Sequence, residues 1–226
     1  MIEIIKAIIL GIIQGITEWL PISSTAHLIL TDQFLKLNVS PEFWELFLVV
    51  IQLGSILAVV ILYFNRLNPF SKEKTEKEKT QTFRLWVMII IASIPLVIGA
   101  IFDEIVGIPD APLVIAATLI IYGILFIIVE KWNKTRVPKI NSLNSLDVKT
   151  AFLVGCFQVL AIIPGTSRSR ATIIGALVLG LSRGVAAEFS FFLAIPAMAG
   201  ASGLKVLKYF IKTGFGFNGS ELLLLI

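Results

Sequence analysis

The amino-acid sequence predicts an all-α, polytopic integral membrane protein. Hydrophobic residues make up 57% of the 226-residue chain, and only 15% of the residues are charged. The charges are clustered, and the apolar runs between the clusters approach the roughly 20 residues with which a helix crosses a bilayer. A soluble domain is far less hydrophobic, and a transmembrane barrel has short alternating segments. The single cysteine, Cys156, excludes an internal disulfide framework and matches no metal-ligand spacing.

The first apolar run is interrupted by a proline. Residues 2–20 are predicted to form a helix that Pro21 ends, and residues 23–37 a second, short helix. Each is short for a full span, so together they are predicted to form a hairpin that dips into the membrane. No signal-peptide cleavage pattern follows the run, and the segment is expected to stay in the mature protein. A full span at 45–64 completes a first repeat over residues 1–64.

Two basic stretches flank the middle of the chain. Residues 65–84 carry six basic and three acidic side chains, and residues 131–149 carry five basic and one acidic side chain. The positive-inside rule predicts that both are cytoplasmic loops. Between them, residues 85–130 form a two-span connector, with spans at 85–102 and 112–130. The turn between these spans has three acidic and no basic residues, and it is predicted to lie outside.

A second repeat is predicted over residues 150–212. Residues 150–163 and 167–180 form another broken pair, separated by a Pro-Gly-Thr-Ser stretch, and residues 187–211 form a full span. Residues 213–226 are expected to begin a final helix that is truncated. The loop charges place the entry of the two broken pairs on opposite sides of the membrane. This pattern predicts an inverted-topology repeat with two re-entrant hairpins, an arrangement that places a binding site near the middle of the membrane.

The first break combines a carboxylate, three hydroxyls and the only histidine of the chain. Gln14 and Glu18 are four residues apart and share a helix face. Ionisable groups inside membrane segments are costly and indicate function, which favours a role for Glu18 and His27. The hydroxyls begin the second helix, where capping is the ordinary alternative. The candidates from this break are Gln14, Glu18, Ser23, Ser24, Thr25 and His27.

The second break, PGTSRSRAT at residues 164–172, carries two arginines. Thr166 or Ser167 can cap the next helix, and Arg168 lies in its first turn. Because a guanidinium stays charged, Arg168 at a half-buried helix start requires an anion, which a helix N-terminus also favours. Arg170 could bind the same anion or reach lipid headgroups. The two breaks together predict an anion site equipped for acid–base or nucleophilic chemistry.

These motifs resemble the two signatures of the undecaprenyl-diphosphatase family, the bacitracin-resistance proteins. QGITE, followed by WLPISSTAH, matches a first signature of Glu or Gln, three residues and Glu, through Gln14 and Glu18. PGTSRSRAT matches the second, Pro-Gly-x-Ser-Arg-Ser-x-x-Thr, and the resemblance extends over essentially the whole chain. Gln14 stands where a glutamate is commoner, which removes one charge that could bind a metal.

The resemblance implies a membrane hydrolase that removes the terminal phosphate from undecaprenyl diphosphate. The product, undecaprenyl phosphate, is the lipid carrier for cell-wall precursors, and its recycling confers bacitracin resistance. The resemblance further implies an active site that faces the outer side of the cytoplasmic membrane, and a divalent cation, Mg or Ca, with Glu18 as its candidate ligand. Expected partners are the polyprenyl diphosphate substrate, membrane lipids and, as an open alternative, a second copy in a homodimer. Nucleic acid is not expected.

The resemblance also assigns the site residues. Glu18, Ser24, His27 and Arg168 are predicted to be catalytic. Gln14, Ser23, Thr25, Ser167, Ser169 and Thr172 are predicted to bind the substrate around them. Three mechanisms stay open: Ser24 as nucleophile with His27 as base, His27 as nucleophile, or a water activated by Glu18.

An anion or polyprenyl-phosphate transporter, or flippase, is the main alternative, because midplane half-helices are also transporter architecture. A transporter has no use for a nucleophile, a base and a metal carboxylate together, and this grouping favours an enzyme. The lipid tail is expected to run along the spans at 45–64 and 187–211. Gly54, Gly200 and Gly203 are predicted to let these helices approach closely.

Overall fold

The computed structural model of the chain describes residues 2–106 and 112–213 together with Leu224. Within these ranges the regular elements are nine α-helices and two short 3-10 turns. The predicted acidic turn and the predicted final helix fall largely outside the described residues. In chain order, α1 spans Ile2–Trp19, α2 Ser24–Leu35, α3 Pro41–Leu62, α4 Phe64–Leu67, α5 Glu76–Val106, α6 Pro112–Lys134, α7 Val148–Val159, α8 Arg168–Val178 and α9 Arg183–Thr213.

Four helices in the described part are long and apolar enough to cross a membrane: α3, α5 over Glu76–Phe102, α6 over Leu113–Lys134, and α9 over Arg183–Ile211. The prediction of an all-α, polytopic membrane protein is therefore confirmed. Each predicted broken pair has a structural counterpart, because α2 follows α1 and α8 follows α7 after an interruption. The inverted relation of the two repeats and the re-entrant path of the hairpins stay predictions.

One helix begins well inside a predicted loop. The sequence predicts a span from residue 85, whereas α5 starts at Glu76. Thr75 and Glu78 form a capping box: the Glu78 carboxylate accepts a hydrogen bond from the Thr75 amide at 2.8 Å, and the Thr75 hydroxyl accepts one from the Glu78 amide at 3.3 Å. Hydropathy marks only the part of a helix that lies in lipid, so the charged first turns of α5 escaped the prediction.

The two halves of the molecule meet along their long helices. α3 packs on α9 and on α1, while α5 packs on α7 and α9. The short helix α8 is surrounded by α6, α7 and α9, and residues 169–177 are all buried. A core cluster that includes Phe189, Phe192 and Leu193 fills the space between α5, α8 and α9. This packing fixes α8 in the interior and determines where its N-terminus lies.

Close helix contacts occur at other glycines than those predicted. A side chain added at Gly54, Gly200 or Gly203 would meet open space, so the predicted close approach at these positions is wrong. The tight positions include Gly155, which lies against the backbone of Ala92. The α3–α9 contact is instead made by side chains, Ile56 of α3 with Ala194 and Met198 of α9 among them.

Candidate active site

The Glu18 carboxylate joins the two breaks of the chain. Its Oε2 atom accepts hydrogen bonds from Ser24 Oγ at 2.6 Å and from Gln14 Nε2 at 3.2 Å. Its Oε1 atom accepts one from Arg168 Nη2 at 3.2 Å, across 150 positions of sequence. Both members of this ion pair are largely shielded, with 14% of the Arg168 side chain and 15% of the Glu18 side chain exposed. A charge pair of this kind is screened far less than one on the surface.

The first break has a strained backbone. Ser23, which precedes α2, has φ 71° and ψ 93°, and no other described non-glycine residue has a positive φ. Its side chain makes no capping hydrogen bond to α2. Such conformations cost about 1–3 kcal/mol and occur most often at functional sites. The first amides of α2 thus lack a side-chain cap, next to the Ser24 hydroxyl.

The single histidine is anchored one turn into α2. His27 Nδ1 lies 2.8 Å from the carbonyl oxygen of Ser23. A carbonyl can only accept, so Nδ1 carries a proton in this contact, and Nε2 is the nitrogen with the lone pair whenever the ring is neutral. His27 is half-buried and does not belong to the described residues that line the cavity. Ser24 donates its hydroxyl proton to Glu18 and not to this ring.

The second break presents Arg168 on a well-formed helix start. Ser167 has extended backbone angles, and its hydroxyl accepts a hydrogen bond from the Arg170 amide at 3.4 Å. Besides Glu18, Arg168 binds the carbonyl oxygen of Ser190 on α9 through Nη1 at 3.1 Å. The guanidinium is therefore held from two sides, and its orientation is set before any ligand arrives.

The turn that leads into α8 rests on α6. Gly165 has φ 84°, a conformation that disfavours any other residue, and an added side chain would collide with Thr118. The Thr118 hydroxyl lies 2.7 Å from the carbonyl oxygen of Pro164, to which it donates. Helix α6 thereby supports the second break.

Three hydroxyls of the second break, those of Ser167, Ser169 and Thr172, are paired among themselves or with α9. The Ser167 and Ser169 hydroxyls lie 3.0 Å apart. Thr172 bonds to the hydroxyl of Ser190 on α9, is fully buried and does not line the cavity. Thr172 therefore acts on the packing of α8 against α9, whereas Ser167 and Ser169 face the cavity.

A cavity of about 300 Å³ lies between the two breaks. Interior prolines precede lining residues in two of the spans: Pro95 comes before Leu96 in α5, and Pro196 before Ala197 in α9. A proline lacks the amide that would bond to the carbonyl four residues earlier, and so loosens a helix locally. The polar lining residues are Thr17, Glu18, Ser23, Ser24, Thr25, Gln52, Thr166, Ser167, Arg168 and Ser169. The apolar ones are Leu96, Ala161, Ile162, Ala197, Met198 and Ala201.

Arg170 does not point into this cavity. Its Nε atom donates to the carbonyl oxygen of Pro21 at 2.7 Å, and 5% of the residue is exposed. The side chains of both arginines of the second break thus contact the first break. Arg168 bonds to the side chain of Glu18, and Arg170 bonds to the backbone carbonyl of Pro21. Arg170 Nη1 is buried and has no partner within the described residues.

Most of the predicted site residues come together in this cavity. Glu18, Ser24 and Arg168 are in direct contact, and Ser23, Thr25, Ser167 and Ser169 line the same space. Gln14 touches the site from behind through Glu18, while His27 and Thr172 lie outside the lining. Gln52 and Thr17 line the cavity without having been predicted as site residues, and Thr166 was predicted only as a possible cap. A glutamine inside the apolar run of α3 was the one available signal for Gln52.

The donor groups of this cavity suit a divalent cation that arrives bound to a phosphate. They suit a permanently bound metal less well. No cluster of three metal-ligating side chains occurs among the residues that the structure describes. Glu18 offers one carboxylate, and the buried Oε1 atom of Gln14 has no hydrogen-bond partner. Mg²⁺ characteristically binds one or two carboxylates together with substrate phosphates, which agrees with this sparse donor set.

Comparison with known proteins gives one consistent result. A family model described as bacitracin resistance protein BacA matches residues 7–225. A protein of Lachnoclostridium phytofermentans named undecaprenyl-diphosphatase is 56% identical over 226 residues, which cover 100% of this chain and 81% of that protein. A protein of the same name from Enterococcus faecalis is 57% identical over 98% of this chain and 80% of its own length. One from Clostridioides difficile, named undecaprenyl-diphosphatase 1, is 57% identical over 100% of this chain and 81% of its own length.

Proposed function

The chain belongs to the BacA family of bacitracin resistance proteins, and from this premise we propose how its residues perform the family's reaction. The protein is a membrane hydrolase that converts undecaprenyl diphosphate to undecaprenyl phosphate. The observation that supports the proposed mechanism is the contact of one carboxylate, Glu18, with a hydroxyl from the first break and a guanidinium from the second.

Arg168 binds and orients the diphosphate. Its guanidinium can form paired hydrogen bonds with phosphate oxygens, and the uncapped amides of α2 add donors on the other side of the cavity. Preorganised donors of this kind stabilise the charge that builds up on the transferred phosphoryl group. Because Ser190 and Glu18 already fix Arg168, little reorganisation is needed when the substrate binds.

Ser24 is the proposed nucleophile, and Glu18 the group that accepts its proton. The Ser24 hydroxyl already points at Glu18 Oε2 at 2.6 Å. Attack of Oγ on the terminal phosphorus breaks the bond to the bridging oxygen and releases undecaprenyl phosphate, leaving a phosphoserine. Water then hydrolyses the phosphoserine, which releases inorganic phosphate and restores the Ser24 hydroxyl.

His27 has a supporting place in this scheme. Its ring is held on the Ser23 carbonyl, and in its neutral form the Nε2 lone pair can accept a proton from the hydrolytic water. Catalytic contacts often tighten when substrate binds, so His27 stays an alternative to Glu18 as the base, and His27 as the nucleophile is an outcome of the test below.

A divalent cation would be held by Glu18 and by the phosphates of the substrate. When bound, it would neutralise phosphate charge, as metal ions do in other phosphoryl transfers. Mg²⁺ and Ca²⁺ are both oxygen-binding cations that suit these ligands.

The apolar walls of the cavity supply a path for the lipid. Leu96 of α5 and Ala197 and Met198 of α9 lie beside the polar groups, so the isoprenoid chain can leave the headgroup site along the spans. We place the protein in the cytoplasmic membrane with the site towards the outer side. The basic loops at 65–84 and 131–149 support cytoplasmic positions for these two loops through the positive-inside rule, and the outward direction of the site is what the family resemblance implies. A homodimer stays a prediction.

Trapping the covalent intermediate tests the mechanism. Purified protein in detergent is mixed with substrate, quenched within one turnover and mapped by mass spectrometry. An acid-stable phosphate on Ser24 is the expected result, and Ser24→Ala, which lacks the acceptor, is the control. An acid-labile phosphate on His27 would identify the histidine, and not Ser24, as the nucleophile. Absence of any adduct, together with inversion at phosphorus, would favour direct attack by water.

A further inference from the structure

One hydroxyl in the cavity wall has no hydrogen-bond partner. Thr166 lies immediately before the cap residue of α8, and only 7% of it is exposed. Its Oγ1 atom is buried and makes no hydrogen bond with any residue that the structure describes. Buried polar atoms are nearly always paired, and each exception calls for an explanation. Since Thr166 lines the cavity between the two breaks, its missing partner can be a ligand of that cavity.

The other hydroxyls of the same break have their partners within the protein. Ser167 and Ser169 bond to each other, and Thr172 bonds to Ser190. Thr17, on the opposite wall, donates to the carbonyl of Ile13 at 2.6 Å. Within the described part of the second break, Thr166 is thus the buried hydroxyl that makes no hydrogen bond, so its donor is free. Thr166 and Arg168 line the same cavity, so the Thr166 hydroxyl and the proposed phosphate-binding guanidinium can contact one headgroup.

We propose that Thr166 is a further substrate-binding residue, whose hydroxyl donates a hydrogen bond to a phosphate oxygen of the diphosphate headgroup. The inference rests on the proposed function, because it takes the cavity at Glu18 and Arg168 as the phosphate site. The hydroxyl pays a desolvation cost in the free protein and recovers it when an acceptor enters. A phosphate oxygen beside an arginine is a charged acceptor, and hydrogen bonds to charged groups are the stronger class.

The test removes the hydroxyl without changing the shape of the side chain. In Thr166→Val, kcat/KM for undecaprenyl diphosphate should fall by about ten- to a hundredfold, the effect expected for a lost hydrogen bond to a charged group. The melting temperature should stay the same or rise, because an unpaired buried hydroxyl has been deleted. Thr166→Ser keeps the donor and should retain most of the activity. Phosphate release and thermal unfolding are measured on the full chain in detergent.

Thr82→Val is the matched control. Thr82 is also buried, but its hydroxyl is satisfied: it accepts from Lys74 Nζ and donates to the carbonyl of Glu78, both at 2.9 Å. It lies in the first turns of α5, away from the cavity. This variant should lose thermal stability and keep its kcat/KM, the reverse of the result for Thr166→Val.

Two outcomes would overturn the inference. If Thr166→Val keeps wild-type kcat/KM, the hydroxyl does not contact the substrate. If it instead loses stability while kcat/KM is unchanged, an ordered water satisfies the hydroxyl in the folded protein. Should valine prevent folding, Thr166→Ala removes the same hydroxyl and is judged by the same criteria.

A parallel Arg168→Lys variant separates this inference from the proposed function. Loss of activity in Arg168→Lys with full activity in Thr166→Val refutes the role of Thr166 alone. Full activity in both variants refutes the phosphate site itself.

Discussion

The starts of α2 and α8 face the same cavity but are built in opposite ways. The α8 start has a capping serine with ordinary backbone angles, and the helix behind it is almost entirely buried. The α2 start follows Ser23, whose backbone is strained and whose side chain does not cap the helix. Only Ser24 and Leu28 of α2 are buried. A rigid, capped helix start suits a residue that must hold an anion in place, whereas the uncapped start of α2 leaves amides available beside a hydroxyl that is already directed at Glu18.

The same substitution at the two starts gives the strongest test of this contrast. Ser24→Ala removes the proposed nucleophile and should lower kcat by roughly a thousandfold or more. Ser167→Ala removes a helix cap, which should cost about 1 kcal/mol of stability and lower kcat far less. Initial rates and thermal unfolding of both variants are measured together. Equal losses of kcat would contradict the division into a reactive and a supporting start.

Arg168→Lys tests the rigid start of α8 directly. A lysine is a point charge that cannot reproduce the planar contacts of a guanidinium with Glu18, Ser190 and phosphate. We expect kcat/KM to fall by roughly a hundredfold, as on removal of one preorganised donor. Steady-state phosphate release provides the measurement. Near-native turnover would show that charge alone suffices at this position.

Arg170→Lys tests the link between the two starts. Loss of the hydrogen bond to the Pro21 carbonyl should loosen the first break. We expect kcat to fall by about tenfold, an effect of the size that the loss of a single hydrogen bond produces, and KM to change little. The control is Arg84→Lys, since Arg84 also donates to a backbone carbonyl, that of Leu146 at 3.0 Å, but far from the cavity. A raised KM with unchanged kcat would instead place Arg170 in the phosphate cradle.

Glycine substitutions probe the backbone difference between the two starts. Ser23→Gly should relieve the positive φ and stabilise the protein by up to about 1 kcal/mol, after the entropy that glycine gains on unfolding is subtracted. Ser167→Gly, at φ −69°, relieves no strain and should be neutral or destabilising. Thermal melts of the two variants give the comparison. Destabilisation of equal size at both positions would show that Ser23 carries no strain.

The start of α7 lies outside the cavity and provides a reference, because it has an ordinary charged cap. A substitution there is expected to have the smallest effect on stability. The amide and hydroxyl of Thr150 each bond to the Asp147 carboxylate at 2.8 Å and lower its pKa. Because the folded-state pKa is depressed, the cap stabilises fully above the unfolded value of about 4 and loses its effect as pH falls through the folded value. Asp147→Asn should flatten this part of the melting-temperature profile below about pH 5. An unchanged pH profile would mean that the cap is not coupled to folding.

The sequence predicted the helical class, the two breaks and most of the polar part of the cavity lining, because proline, charge and hydroxyl positions are local signals. It misplaced the start of α5, where charged residues form good helix without registering as apolar. It could not place Arg170, because its direction depends on how α8 packs against the first break. His27 was predicted at the centre from its rarity in an apolar segment, yet its direction depends on the backbone of Ser23. Thr166 shows the same limit: a hydroxyl's missing partner is visible only in three dimensions.

The pairing of Glu18 with Arg168 also affects what happens after the bond is cut. The Glu18 carboxylate balances the Arg168 guanidinium, so the net charge of the pair that faces an incoming anion is small. Undecaprenyl diphosphate offsets this competition with its hydrocarbon tail, which inorganic phosphate lacks. Because the arginine is neutralised internally, we expect the small product to bind weakly and product inhibition by phosphate to be slight.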